Sequence, residues 1–164
     1  MIEDSRIIPV DLAKVLMGGR RSFVSGDANT ERLRVEFFKR VDNHTLGAKV
    51  WFGEGTEGAP GIVHGGSISA VLEEVMRFAA WVSGNAVLTI RLSTNFKKML
   101  PLNSHTLVTT LVEVADAQKM RITSQLLNAQ DEVMADAEGL FMVIPSEKFG
   151  MDAKKVADMF AALS

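Results

Sequence analysis

His64-Gly-Gly-Ser-Ile-Ser-Ala-Val-Leu-Glu-Glu-Val-Met-Arg-Phe-Ala-Ala-Trp-Val82 is the stretch that decides how this chain folds. From Ser67 to Val82 a helix would be apolar on nearly every face, through Ile68, Val71, Leu72, Val75, Met76, Phe78 and Trp81. A helix of that kind belongs in an interior. Yet Glu73 and Glu74 stand in its middle. Carboxylates are almost never fully buried unless paired, because an unpaired buried charge costs several kcal/mol and usually gives up its ionisation instead.

On either side of this segment the apolar period changes to two. Leu33, Val35 and Phe37 alternate with Arg34 and Glu36, and Leu46, Ala48, Val50 and Phe52 alternate with Gly47, Lys49 and Trp51. These read as two strands. Four more strand-like runs follow the helix, at 86–98, 106–115, 120–128 and 133–144, with 116–119 and 130–132 short enough for hairpin turns. One buried helix and about six antiparallel strands predict an α+β fold in which a curved sheet wraps around the helix. Residues 1–28 are expected to form a helical extension, with Leu12, Val15 and Leu16 at helical spacing before Gly18-Gly19. Residues 147–164 are expected to form a terminal helix capped by Asp152, with Val156, Met159, Phe160 and Leu163 on one stripe. No repeat or low-complexity linker interrupts 1–164, so a single domain is expected.

The 164 residues are enough for one sizeable core. A formal net charge of -2 with scattered Lys and Arg argues against a nucleic-acid partner. The lack of cysteine removes disulfides and thiolate metal sites from consideration. The start does not read as a signal peptide, and the longest apolar run carries three charges and falls short of the ~20 residues that span a bilayer. The expectation is a cytoplasmic protein with neither membrane nor nucleic-acid partners.

Gly58, Gly61, Gly65 and Gly66 surround the entry to the helix. The first amides of a helix have no internal acceptor, so they suit an anion or a developing oxyanion. Gly65 N–H is the candidate donor, and a plain tight turn is the alternative. Glu73 lies eight residues farther on, roughly 12 Å along the axis at ~1.5 Å per residue. Catalysis needs an oxyanion donor at about 3 Å and a base within hydrogen-bond reach of its proton. If both groups act on one carbonyl, they come from two subunits, and antiparallel helices across a two-fold axis would provide this twice per homodimer. Glu73 could instead serve only as an i,i+4 ion pair with Arg77. His64 is the only histidine at this turn, and its expected role is capping; His44 and His105 are expected in loops. No G-x-S-x-G elbow and no phosphate-binding loop occurs, and the histidines lack metal-ligand spacing. What remains is a carboxylate, a helix terminus and a water, with no metal and no cofactor.

The run Gly58-x-x-Gly61-Ile-Val-His64-Gly65-Gly66, then Leu72-Glu73-Glu74-Val75-Met76, Thr89 within 88–92, and Lys97-Lys98-Met-Leu-Pro-Leu102 resembles the hotdog-fold acyl-CoA thioesterases of the phenylacetyl-CoA thioesterase type. The resemblance covers roughly residues 32–144 and implies a hotdog fold with sites between subunits of a homodimer or a dimer of dimers. It implies that Glu73 is the nucleophile or activates water, that the Gly65 amide polarises the thioester carbonyl, that Thr89 helps hold the water or the carboxylate, and that His64 orients the helix start. Coenzyme A then enters only as part of the substrate, with Lys97, Lys98 and Arg121 as candidates for its phosphates. Gly58, Gly66 and the acyl-pocket candidates Val71, Val75, Met76 and Phe78 would lie against the ligand. Three features depart from the family pattern: many members carry Asp where Glu73 stands, Arg77 replaces a small residue, and Gly58 stands where some relatives place an amide. An acyl-CoA thioesterase is the first reading. A non-catalytic acyl-CoA-binding or scaffold hotdog protein, with Glu73 silenced by Arg77, is the alternative, and a hydratase of the same fold the third. Strict alternation along 88–93 puts Thr89 on one face with Arg91 and Ser93, opposite Leu88, Ile90 and Leu92.

Overall fold

The fold was obtained as a computed structural model, which describes residues 6–27 and 29–164. The strands are β1 (Ile7–Pro9), β2 (Leu33–Arg40), β3 (Leu46–Phe52), β4 (Val87–Phe96), β5 (Ser104–Ala115), β6 (Lys119–Leu127) and β7 (Val133–Val143). The helices are α1 (Leu12–Met17), α2 (Gly65–Val82) and α3 (Ala153–Ala162). All seven strands form one antiparallel sheet in the order β1-β2-β3-β5-β6-β7-β4. Six of them are the expected ones. The seventh, β1, lies where the sequence predicted helix: Ile7 and Ile8 pair with Arg40 and Lys39 at the sheet edge, and among the described residues the extension is α-helical only over Leu12–Met17. The hydrogen bonds offered by the open edge of β2 outweigh local helix propensity there. Residues 1–5 and 28 of that extension lie outside the described residues.

The sheet curls around α2, which packs against β3, β4, β5, β6 and β7 on one side and α3 on the other. Val71, Leu72, Val75 and Met76 are fully buried, and they meet Val108, Ile122, Leu126 and Phe141 on the inner face. Small residues let the helix come close to β7, where Ala135, Ala137 and Gly139 alternate along the inner face. A methyl group at Gly139 would lie 2.4 Å from Phe141 Cε2 and 3.3 Å from Met76 Cε. Overpacking of this kind costs roughly 1–3 kcal/mol. Gly139→Ala is therefore expected to lower the urea midpoint without changing the slope of the transition, and an unchanged midpoint would contradict this packing.

The terminal segment docks through Lys39. This buried ammonium donates to the carbonyls of Phe160 (2.9 Å), Ala161 (3.0 Å) and Leu163 (2.9 Å) at the end of α3, where Phe160 O also accepts the Leu163 amide. Asp152 caps the other end of α3 by accepting from the Lys154 and Lys155 amides. A 3-10 turn, Ser146–Phe149, precedes α3 and sets Phe149 edge-on to Trp81 with centroids 5.8 Å apart. His105 lies in β5 opposite Trp51, while His44 sits in the β2–β3 turn with φ 59°. Among the described residues, no helix is long and apolar enough to cross a membrane.

Two features of β4 set up the site. It is the outermost strand, so one of its edges is unpaired among the described residues. A bulge between Thr89 and Arg91 shifts its register against β7. The bulge overturns the expected alternation, because the extra residue reverses which side chains face the helix. Val87 and Thr89 face α2 before it, and Leu92 and Thr94 after it, while Leu88 and Ile90 are exposed.

Candidate active site

The turn leading into α2 is fastened on several sides. Gly58 N–H donates to Ile62 O (2.9 Å), Gly61 N–H to Glu57 Oε1 (2.8 Å), Val63 N–H to Leu100 O (2.9 Å) and His64 N–H to Thr56 O (2.7 Å). Gly61 adopts φ 76°, a conformation open chiefly to glycine. Gly58 is required for a different reason, since a Cβ there would sit 2.9 Å from His64 Cα. The glycine thus lets the two passes of backbone touch and fixes His64.

His64 is the N-cap residue of α2, and its Nδ1 accepts the Gly66 amide at 2.8 Å. Accepting that hydrogen bond leaves Nδ1 without a proton. The Gly65 amide, first of the helix, has no acceptor among the described residues. The ring of Phe96 covers Gly65, with its Cζ 3.1 Å from where a Cβ would stand.

From Gly65 a stripe of every fourth residue follows the flank of α2 toward β4. Gly65 meets Phe96, Ser69 Oγ donates to Thr94 Oγ1 at 3.1 Å, and Glu73 Oε1 accepts from Thr89 Oγ1 at 2.5 Å. Ser69 and Thr94 were missed in the sequence. The signal was available, because Ser69 stands one helical turn from both Gly65 and Glu73 on the only polar stripe of the buried helix. Glu73 is a quarter exposed, at 26%. Arg77 Nε lies 3.8 Å from the same Oε1, beyond hydrogen-bond length.

The two adjacent acids differ sharply. Glu74 is only 2% exposed; its Oε1 accepts a short hydrogen bond from Ser22 Oγ and lies 3.5 Å from Arg77 Nη2. Its Oε2 is buried without a partner. Burial pushes the Glu74 carboxyl above its usual 4.5, against the opposing pull of Ser22, Ser25 and Arg77, and the charge of Glu73 pushes the same way as burial. A group that binds its proton more firmly in the folded state stabilises the fold most below its unfolded value. That stability is lost as pH rises through the raised folded-state value. The wild-type protein should therefore lose stability relative to Glu74→Gln as pH increases from about 4.5. Urea midpoints of both proteins across a pH series check this, and a difference that stays flat or reverses would contradict it.

The remaining expected ligand contacts are dispersed. Lys97 pairs with Asp136 (3.1 Å), Lys98 with Glu132 (2.6 Å) and Arg121 with Glu113 (3.1 Å). Asn95 and Lys97 lower the Asp136 carboxyl, and Lys98 and Asn128 that of Glu132. Arg121 is opposite Leu140, whereas the Lys97 and Lys98 amides both donate to Met134 O, so it lies about six residues along the sheet from the lysines. That is about 20 Å at ~3.3 Å per residue. Within one chain these three cations do not converge. Met76, Val71, Val75 and Phe78 are buried in the core against the sheet, away from the cavities at the helix start, beside Trp81 and beside α3. Open space lies at the two ends of the polar stripe instead. A cavity of about 570 Å³ beside the helix start is walled by His64, Gly66, Ser67 and Arg32. A smaller one of about 340 Å³ is walled by Arg77, Trp81, Met17, Arg20, Val87 and Leu88. Another, of about 1010 Å³, lies at the other end of α2 beside α3. Among the described residues, no group of three or more His, Asp and Glu side chains gathers as a metal site requires.

Residues 60–135, from the Gly61 turn through α2 to the start of β7, match the thioesterase superfamily. The chain has the hotdog fold, and its residues 60–135 are similar to the thioesterase superfamily. A solved thioesterase superfamily protein is 27% identical with a TM-score of 0.66, covering 74% of this chain and 63% of that one. The Escherichia coli PaaI protein from the phenylacetic acid degradation operon shares the fold at 13% identity and a TM-score of 0.62, over 82% of this chain and 86% of that one. Acyl-coenzyme A thioesterase THEM5 of Mus musculus is 32% identical over 94 residues, 56% of this chain and 38% of that protein. The chain spans less than half the length of the curated relatives it matches. The matched segment contains His64, Gly65, Glu73 and Thr89 together with the whole bulged strand.

Proposed function

We propose that this chain hydrolyses acyl-CoA thioesters at a site shared between two subunits, with Glu73 as the reacting carboxylate. The observation that carries the proposal is the Thr89–Glu73 hydrogen bond of 2.5 Å on the unpaired outer strand. It ties up Oε1 and leaves Oε2 open to a water. The likeness to a relative named as an acyl-coenzyme A thioesterase supports the substrate class.

The step follows from the groups present. Glu73 takes a proton from water as the water oxygen bonds to the thioester carbon, and the carbonyl oxygen becomes an oxyanion accepting the Gly65 N–H of a second copy. Collapse breaks the C–S bond while the proton passes from Glu73 to the departing sulfur, giving a free acid and coenzyme A. Direct attack by the carboxylate is the other route open to the same atoms. Single turnover in H₂¹⁸O tests for the direct route, because label in Glu73 itself arises only when water opens a Glu73–acyl anhydride at the Glu73 carbon. Self-association fits the outer strand, whose open edge and exposed Leu88, Ile90 and Phe96 are features that a second copy would cover. The expected assembly is a homodimer paired along β4.

The test is release of free thiol from a panel of acyl-CoAs of graded chain length, with one aromatic acyl group included. Turnover of at least one member is expected. If wild type hydrolyses none while still binding acyl-CoA, the non-catalytic binding reading replaces this one.

A further inference from the structure

Glu74 is a buried acid that the proposed reaction does not use, and its surroundings make it costly. One oxygen is shared by Ser22 Oγ and Arg77 Nη2, and the other has no partner. The groups facing it are the hydroxyls of Ser22 and Ser25 from the segment ahead of β2, and Arg77 and Glu73 from its own helix. Arg77 is therefore contested. Its guanidinium stands 3.5 Å from Glu74 Oε1 and 3.8 Å from Glu73 Oε1, and lies over the Phe78 ring at 4.9 Å. Neither carboxylate holds it at the ~2.7–2.9 Å of a charge-assisted hydrogen bond.

We propose that Glu74 is a positioning residue that acts through Arg77, holding the guanidinium midway so that it does not close on Glu73. Glu73 and Arg77 are at i and i+4 in the favourable order, so without a competing charge they form a full ion pair. Such a pair would neutralise the Glu73 charge and weaken it as a base or nucleophile. Glu74, when ionised, opposes this by drawing Arg77 Nη2, which stands 3.5 Å from its Oε1. This inference rests on the reading of Glu73 as the reacting group.

The test is Glu74→Gln, read by crystallography and by kinetics. In the variant structure the Arg77–Glu73 separation should contract from 3.8 Å to hydrogen-bond length, and kcat should fall about tenfold with KM within twofold of wild type. Adding Arg77→Gln should restore kcat, because no guanidinium is left to clamp Glu73. If Glu74 only anchored the Ser22 segment, the double variant would stay as slow as the single one. If Glu74→Gln does not fold, Glu74→Asp draws the charge away from Arg77, and it should show a smaller fall that Arg77→Gln also reverses. An Arg77 that keeps its place in the variant structure overturns the proposal, as does a double variant without recovery. The crystallographic readout needs no turnover, so a wild type that hydrolyses nothing would defeat the thioesterase reading and leave the position of Arg77 still measurable.

Discussion

Glu73→Ala is expected to lower kcat for acyl-CoA hydrolysis by about 10³-fold, in the middle of the range that a positioned acid or base contributes. The loss should be specific to the chemistry. Glu73 lies on the flank of α2 and is a quarter exposed, so its removal should change stability by no more than about 0.5 kcal/mol. Its ties to Thr89 and Arg77 are local and are not part of the core. KM should change little if the carboxylate acts mainly in the transition state. Glu73→Gln, which keeps the shape and can still hydrogen-bond Thr89, should be almost as slow, because an amide can neither accept the water proton nor attack the carbonyl carbon. Thr89→Val should lose far less, since the hydroxyl orients the carboxylate without reacting. Thiol release by the three variants and wild type on one acyl-CoA measures this order. A Glu73→Ala protein with wild-type kcat would remove Glu73 from the reaction.

How much of this was legible in the sequence differs element by element. The α2 segment and the six main strands could be read because their apolar periods are long and uninterrupted, and β3 begins and ends where Leu46 and Phe52 predict. The capping role of His64 was legible from its place before two glycines. The bulge was not. Thr89, Ile90 and Arg91 continue an ordinary alternating strand, and only pairing with β7 reveals that one residue is extra. Because of that residue, Thr89 shares the helix-facing side with Leu92 and Thr94 rather than with Arg91 and Ser93. The sequence posed the problem of two acids in a buried helix but could not divide it. Adjacent helical positions differ by about 100° of rotation, and which of them faces the sheet edge and which the Ser22 segment depends on tertiary packing. The candidate phosphate contacts show a third limit. Lys97, Lys98 and Arg121 each have a nearby carboxylate, and their distances along the sheet follow from strand registers that composition does not encode.

Gly65→Pro is expected to lower kcat by about 10²–10³-fold, the cost of removing one oxyanion donor. This substitution isolates the amide unusually well. Gly65 is the first residue of α2, and proline is well tolerated there because its fixed φ suits a helix start and the N–H it lacks has no helical acceptor. His64, with ψ 131°, already has the extended conformation that a following proline demands. The added ring must displace Phe96, whose Cζ lies 3.1 Å from the Cβ position, so the self-association of the variant is measured alongside its kcat. Glu73 is left untouched, roughly 12 Å farther along the helix. The same distance means that one thioester cannot reach both groups of one subunit. A dimer of Glu73→Ala with Gly65→Pro should therefore contain one site with both an intact Gly65 amide and an intact Glu73, and one site lacking both. Purified heterodimers of the two inactive parents should recover about half the wild-type kcat per dimer. If verified heterodimers stay as inactive as the parents, the amide and the carboxylate do not serve one site across the interface, and the oxyanion donor must lie elsewhere along the edge of β4.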